Sequence, residues 1–426
     1  MSANLPSDVV DLIEREVTAS IQWLWDYATA DPSAPGFGQV LDRDDEPEIS
    51  SIAATGFGLA AWCLGVERGQ LAKDEVIIRA RGALNALLNT ASYAGWLAHF
   101  VNAQTGEAKP GAEYSTADTI LAVNGALVAA SYLNDPEITD LTDRLVQRLN
   151  YSPLLTENDG ALQLKMAHTS AANGDYADGA APSWVGRWDM TAEQLPLYII
   201  AAGKPDVSRV TANRLWEGFS RPIGEYGGHK CVYEWGGTLF VYHFPHCFWP
   251  IGKDRLGLDW WHNAQEATKA NARWCWDNRK TSKTFAAGLW GPSACLGPHG
   301  YTVDGAEPAR PPSPHYSGTI PPASLIAGAA FAPAEAARAL RVLRDEFLAA
   351  WDERYGFTDA INLDGYGPSG GPWYANTRFG LNKGQSALLG AAALGDSTVW
   401  DAYQRNPWVA CGIEVLGLTR AELTRA

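Results

Sequence analysis

From Thr119 to Asn134 the chain carries no charged side chain, and most of the stretch is small or aliphatic. A helix that is apolar on every side must be covered on every side. This stretch therefore constrains the fold more than any other, because it requires further helices packed around it. Two carboxylates, Glu113 and Asp118, stand at its head. Ser115, three residues before Asp118, reads as a capping box that places an acid at the positive helix end. Two acids thus sit at the rim of a buried helix, where a pocket can use them. The plainer reading is that Asp118 only caps and Glu113 is solvated.

The rest of the chain reads as helices of ordinary pattern. Val10, Ile13, Val17, Ile21 and Leu24 mark a first amphipathic helix. Helices follow at 51–64 (stopped at Gly65), 73–89 and 136–149, and one headed by Glu193 ends at Gly203. Further helices are expected at 260–278, from Pro333 through Trp351, at 383–394 and at 397–405. Residues 31–50, 150–190 and a proline-rich 281–332 read as loops, and 221–262 as loop with a short hairpin. Roughly a dozen helices without a strand series predict an all-α protein, its helical hairpins arranged in a ring. The loops 91–118, 150–190, 221–250 and 281–330 are expected at one mouth of that ring. No repeat or linker divides the sequence, so residues 1–426 read as a single domain.

Composition excludes several classes. The net charge of −15 is wrong for a phosphate-backbone partner. No apolar run reads as long enough to span a membrane. The N-terminus lacks a basic and apolar leader, so a cytoplasmic protein is expected; a chain whose leader had been removed would read the same. Cys63, Cys231, Cys247, Cys275, Cys295 and Cys411 show no CxxC or zinc spacing, which predicts reduced thiols and neither metal nor organic cofactor. The excess is aromatic, 18 Trp and 16 Tyr, rings suited to stacking on a pyranose as well as to a core.

Two motifs mislead. Gly56-Phe-Gly58-Leu-Ala-Ala61 spells a dinucleotide fingerprint but follows no hydrophobic strand, so close helix packing through glycine explains it better. Asp42-Arg-Asp44-Asp45 spells the DxDD proton-donor motif of class II terpene cyclases, on four loop residues.

Longer segments point one way. Ser51–Ala61 with Gly65–Gly69, His99–Gly106, Glu113–Thr119, Gly318–Ala323 with Phe331–Pro333, and Tyr355–Asn362 together resemble the bacterial glycoamylase-like domain. That family includes endo-β-1,2-glucanases and the transglycosylating domain of cyclic β-1,2-glucan synthases. The resemblance runs from about residue 20 to 418 and implies an (α/α)6 barrel with chemistry at a glycosidic bond. It also implies functional acids in the segments holding Glu113 and Glu193. Two departures stand out. The family's Asp-Gly-Pro-x-Gly-Tyr loop reads Leu296-Gly-Pro-His-Gly-Tyr301, and its His-Ala-Trp-Ile-Asp-Phe-Arg segment reads His246-Cys-Phe-Trp-Pro-Ile-Gly252.

Glycoside cleavage needs one carboxylic acid to protonate the leaving oxygen and one carboxylate to activate water or attack carbon. Glu193, close to Trp184 and Trp188 in sequence, is the expected donor, since an apolar wall raises a carboxyl pKa. Glu113 is the expected base with Asp118 as orienter, or the two reversed. Trp184, Trp188, His99, His246, Trp290, His299, Tyr301 and Asn382 are candidate sugar contacts, each with a packing or structural role as its alternative. The expected partner is a carbohydrate. The altered loops predict a preference for short oligosaccharides or glucosides over long β-1,2-glucan. A catalytically silent sugar-binding barrel is the alternative, with a terpene-cyclase-like enzyme behind it.

Overall fold

The computed structural model describes residues 5–169 and 182–422; residues 170–181 of the expected 150–190 loop lie outside that range. The helices in the first half are α1 (Ser7–Asp26), α2 (Ile52–Glu67), α3 (Lys73–Asn89), α4 (Thr116–Leu133), α5 (Pro136–Gln147), α6 (Leu195–Gly203) and α7 (Arg209–Glu217). In the second half they are α8 (Phe240–Phe248), α9 (Trp260–Asp277), α10 (Lys283–Ala286), α11 (Pro322–Gly328), α12 (Pro333–Glu346), α13 (Gly380–Ala393), α14 (Thr398–Arg405) and α15 (Pro407–Leu416). Strands among the described residues are two to four residues long and form sheets of two or three strands. The chain divides into two compact units. One joins Leu24–Ser220 to Thr398–Leu418, and the other joins Arg221–Ser397 to Met1–Trp23 and Thr419–Ala426.

In the 24–220 unit, α2 and α4 form the central pair. Both are buried along nearly their whole length, as sequences with one acid each at an end require. They meet backbone to backbone: a Cβ on Gly56 would lie 2.2 Å from the Leu121 carbonyl oxygen, and one on Gly125 would lie 1.9 Å from that of Gly56. The glycines of the apparent dinucleotide motif therefore serve helix packing. α2 does not stop at Gly65 as its sequence suggests; the helix continues to Glu67, and Arg68 caps it. By length and composition α4 would qualify as a membrane span, contrary to the sequence-based exclusion, but most of it is buried in the unit. α14 closes on it, with the Tyr403 hydroxyl donating to buried Asn124 Oδ1 at 2.9 Å.

In the 221–397 unit, α8, α9, α11 and α13 pack together. Buried Glu16 on α1 accepts from Lys383 Nζ (2.9 Å), Ser20 Oγ (3.0 Å) and the Phe357 amide (2.8 Å). Neither charge is left unpaired in the interior, where an orphan would be costly. α7, α8 and α15 escape the sequence reading, and α10 and α11 fall within the 281–332 stretch expected to be loop. α8 carries Pro245 internally, a signal that normally ends a helix. The described residues of the 150–190 segment hold the hairpin 155–164 and short strands at 167–169 and 183–185, where loop was expected.

Candidate active site

A series of short antiparallel pairings in the 24–220 unit assembles the site. Leu41 bridges Ser50, and Ile49–Ser51 pairs with Phe100–Asn102. The His99 amide donates to the Glu113 carbonyl at 2.9 Å, Ala98 bridges Tyr114, and Tyr114–Ser115 pairs with Ala167–Thr169, which pairs with Ser183–Val185. Residues far apart in sequence, Asp42, His99, Glu113, His168 and Trp184, are thereby fixed on successive rungs. No rung is long enough to show a strand period, so this organisation is not legible in the sequence.

Ser115 caps α4 as its sequence predicts. Its Oγ accepts from the Asp118 amide at 3.2 Å and donates to Asp118 Oδ2 at 2.5 Å. Asp118 Oδ1 faces His99 Nε2 at 3.3 Å, and His99 Nδ1 lies 2.7 Å from Glu113 Oε1. Phe100 stacks on the imidazole at 3.7 Å between centroids. One imidazole thus bridges the two predicted carboxylates.

The electrostatics follow. Burial pushes His99 down, but Asp118, Glu113 and Asp42 together raise it to about 9. For Glu113, burial pushes upward and is outweighed by the hydrogen bond and charge of His99, leaving the carboxyl below its ordinary value. Asp42 is raised to about 6 by burial, against the opposing charge of His99. This acid, noticed in the sequence only within the DxDD run, belongs to the same electrostatic nest. Arg43 holds its neighbours instead, bonding Asp45 at 3.1 Å and contacting Glu46.

His99, Glu113 and Asp118 also form the one group among the described residues with three potential metal-ligand atoms within 4.8 Å of one another. Each nitrogen of His99 faces a different carboxylate, Glu113 on one side and Asp118 on the other.

Glu193 lies in the turn before α6, beside the N-cap Gln194, and is half-buried. Buried Gln194 shapes that turn, donating to the Met190 carbonyl (2.8 Å) and accepting from the Ala192 amide (2.7 Å). Trp188, also buried, donates from Nε1 to Thr116 Oγ1 at 3.0 Å and so ties this segment to the first turn of α4. Trp184 joins an aromatic cluster absent from the sequence reading except for itself. Tyr93 stacks on His168 at 3.8 Å, and Trp184 meets His168 edge-on at 5.3 Å. Tyr93 is the exposed member.

The remaining candidates belong to the 221–397 unit. His246 is buried, its Nδ1 accepting from the Ile251 amide at 3.2 Å, with Trp261 and Phe331 against its ring. That is the structural alternative of the sequence reading. Buried Trp290 donates to the Glu335 carbonyl at 3.4 Å and lines a cavity of about 490 Å³ with Trp276, Arg273 and Lys269. His299 and Tyr301 lie exposed on the hairpin 294–303, His299 against Tyr366 and Tyr301 stacked over Phe379. Leu296, where the family resemblance implies Asp, packs with Trp373 against Cys295, Ala360 and Ala375. Asn382 Nδ2 donates to Asp359 Oδ1 at 2.7 Å, and the Leu296 amide donates to Asp359 Oδ2, also at 2.7 Å. Asp359 is a second buried carboxylate centre that the sequence reading passed over.

Comparison with known proteins identifies the family and the fold. The family model named Glycoamylase, described as "Putative glucoamylase", matches residues 186–407. An exo β-1,2-glucooligosaccharide sophorohydrolase (non-reducing end) of Parabacteroides distasonis is 23% identical, covering 95% of this chain and 57% of the relative. The chain thus spans little more than half the length of that relative. An endo-β-1,2-glucanase from Chitinophaga pinensis, solved with sophorotriose and glucose, superposes with a TM-score of 0.78 at 20% identity, over 97% of this chain and 99% of that one. A β-1,2-glucanase from Parabacteroides distasonis gives a TM-score of 0.78 at 20% identity, over 95% of this chain and 59% of that one. These are α/α-barrel folds, and the chain shares that fold class, as expected.

Proposed function

The chain belongs to the glycoamylase family, and from that premise we propose that it is a glycoside hydrolase acting on short β-1,2-linked gluco-oligosaccharides. The observation that carries this is the carboxylate pair at the head of α4, held by one imidazole inside a largely buried nest. The β-1,2-glucan hydrolases to which the chain is similar support the substrate class.

The roles follow from which oxygens are free to work. Both Asp118 oxygens are engaged, one by Ser115 and one by His99, which suits an orienting role. Glu113 engages His99 through Oε1 and is held below its ordinary pKa, so it is ionised at neutral pH and serves as the base or nucleophile. Glu193 donates the proton to the departing glycosidic oxygen. Leu296, packed among apolar neighbours where the family resemblance implies Asp, removes a polar sugar contact, and this favours short substrates over long polymer.

A product-resolved screen of sophoro-oligosaccharides, aryl glucosides and linear β-1,2-glucan, beside Glu193→Gln, tests the reading. Turnover of short β-1,2-linked substrates, lost in Glu193→Gln, is expected. The altered segments at Leu296 and His246 also favour a silent sugar-binding barrel as the rival; sugar affinity without turnover in either protein would select it.

A further inference from the structure

We infer that His99 is a positioning residue of this site, held between Glu113 and Asp118 with a proton on each ring nitrogen. The inference rests on the glycosidase reading above for its consequence, but not for its geometry. Nδ1 lies 2.7 Å from Glu113 Oε1, and Nε2 lies 3.3 Å from Asp118 Oδ1. A neutral imidazole has one N–H and one lone pair. It would therefore aim its lone pair at one of two carboxylate oxygens, which is repulsive unless that carboxyl carries the missing proton.

Asp118 is poorly placed to carry it. Its Oδ2 already accepts from the Ser115 hydroxyl, and its amide belongs to the positive first turn of α4, where the anion is favoured. Glu113 is held below its ordinary pKa, so it also favours the anion. The proton therefore resides on the ring. Of the other charged groups nearby, the acid dominates. Asp42 faces the ring as a further acid and favours its charged form. Lys109 stands beyond Phe100, its Nζ 5.8 Å from that ring, and opposes it more remotely. Phe100 stacks on the ring and holds its plane.

The consequence concerns the division of labour. An imidazolium with both N–H groups committed to carboxylates cannot accept from a sugar hydroxyl, so His99 is not a substrate contact. It keeps Glu113 ionised and both carboxylates aimed, which disqualifies Glu113 as proton donor and leaves that task to another acid.

Ring-nitrogen NMR on ¹⁵N-histidine-labelled wild type, with His99 assigned by its loss in His99→Gln, tests the protonation state directly. Two protonated nitrogens at pH 7, persisting to about pH 9, are expected. A neutral ring titrating near pH 6.5 overturns the inference. The kinetic arm compares pH profiles on whichever substrate the screen identifies. In His99→Gln, kcat should fall at least tenfold, and the acid limb should move up by about one pH unit as Glu113 loses its cation. A lowered kcat with an unmoved limb also overturns it. The two readings fail separately: absence of turnover on every glucoside defeats the function, whereas the wild-type NMR result decides His99 alone and needs no folded variant beyond assignment.

Discussion

Histidines in the two units of this protein sit in opposite chemical worlds. In the 221–397 unit, His243 and His246 are sealed among Phe331, Trp261 and neighbouring helices, and burial drives both down to about 3. His243 is satisfied as a neutral ring, accepting from Gln385 Nε2 at 2.9 Å and facing Thr268 Oγ1 at 3.0 Å. In the 24–220 unit, His99 is also largely enclosed, yet it rises to about 9 because carboxylates supply the walls. Burial alone does not predict a charge state; the chemistry of the surrounding surface decides its sign. One environment builds a core and the other builds the charged nest proposed as the reactive centre.

The comparison can be broken most forcefully at its ends. Glu113→Gln should cut turnover by about 10²–10⁴-fold at a stability cost of only about 1 kcal/mol from the lost pairing with His99, measured by steady-state kinetics beside calorimetry. Lys383→Met should do the reverse. It strands Glu16 in the interior, costing about 3 kcal/mol in denaturant unfolding, with turnover per folded molecule little altered. Equal effects of both changes on activity and stability would erase the distinction between nest and core.

A pH series sharpens it. The folded value for His99 lies above its ordinary value, so its stabilisation is fully present below about pH 6.5 and is lost as pH rises through about 9. The stability advantage of wild type over His99→Gln should therefore shrink by about 1–3 kcal/mol across that window in urea titrations. A gap that stays constant with pH would show that no extra proton is held. The smallest effect is expected at Leu296→Asp. Restoring a polar group beside Trp373 should improve activity on longer β-1,2-glucan by on the order of tenfold relative to short substrates. An unchanged length preference would remove Leu296 as its cause.

Much of the frame was legible in the sequence because its signals are local. The period of α1, the boundaries of α3 and the Ser115–Asp118 cap each need only neighbouring residues. The matched segments likewise led to the correct fold class. What could not be read is carried by long-range pairing. The His99–Glu113–Asp118 bridge depends on rungs of two or three residues, too short for any period. Asp42 reads as part of a four-residue acidic motif, and the Leu41–Ser50 bridge, with the Asp42 amide donating to the Ile49 carbonyl, brings its segment alongside the site. His246 had a matched segment in its favour, but enclosure by Trp261 and Phe331 is a tertiary fact. α8 was hidden by its own proline, and the membrane-like character of α4 is neutralised only by neighbours that local pattern does not reveal.

The contact between Gly56 and Gly125 sets the mechanical tolerance of the reactive centre. α2 begins beside the segment paired to His99, and α4 begins at the cap that aims Asp118. If either helix slid along the other by even one residue, a rise of about 1.5 Å, the 3.3 Å contact between His99 and Asp118 would be lost or crushed. With backbone lying directly on backbone there is no side chain whose rotamer could absorb such a slip. The two glycines act as a machined keyway behind the site. Substitutions there would misalign the charged nest without touching any of its acids, so variation in this chain should spare that seam.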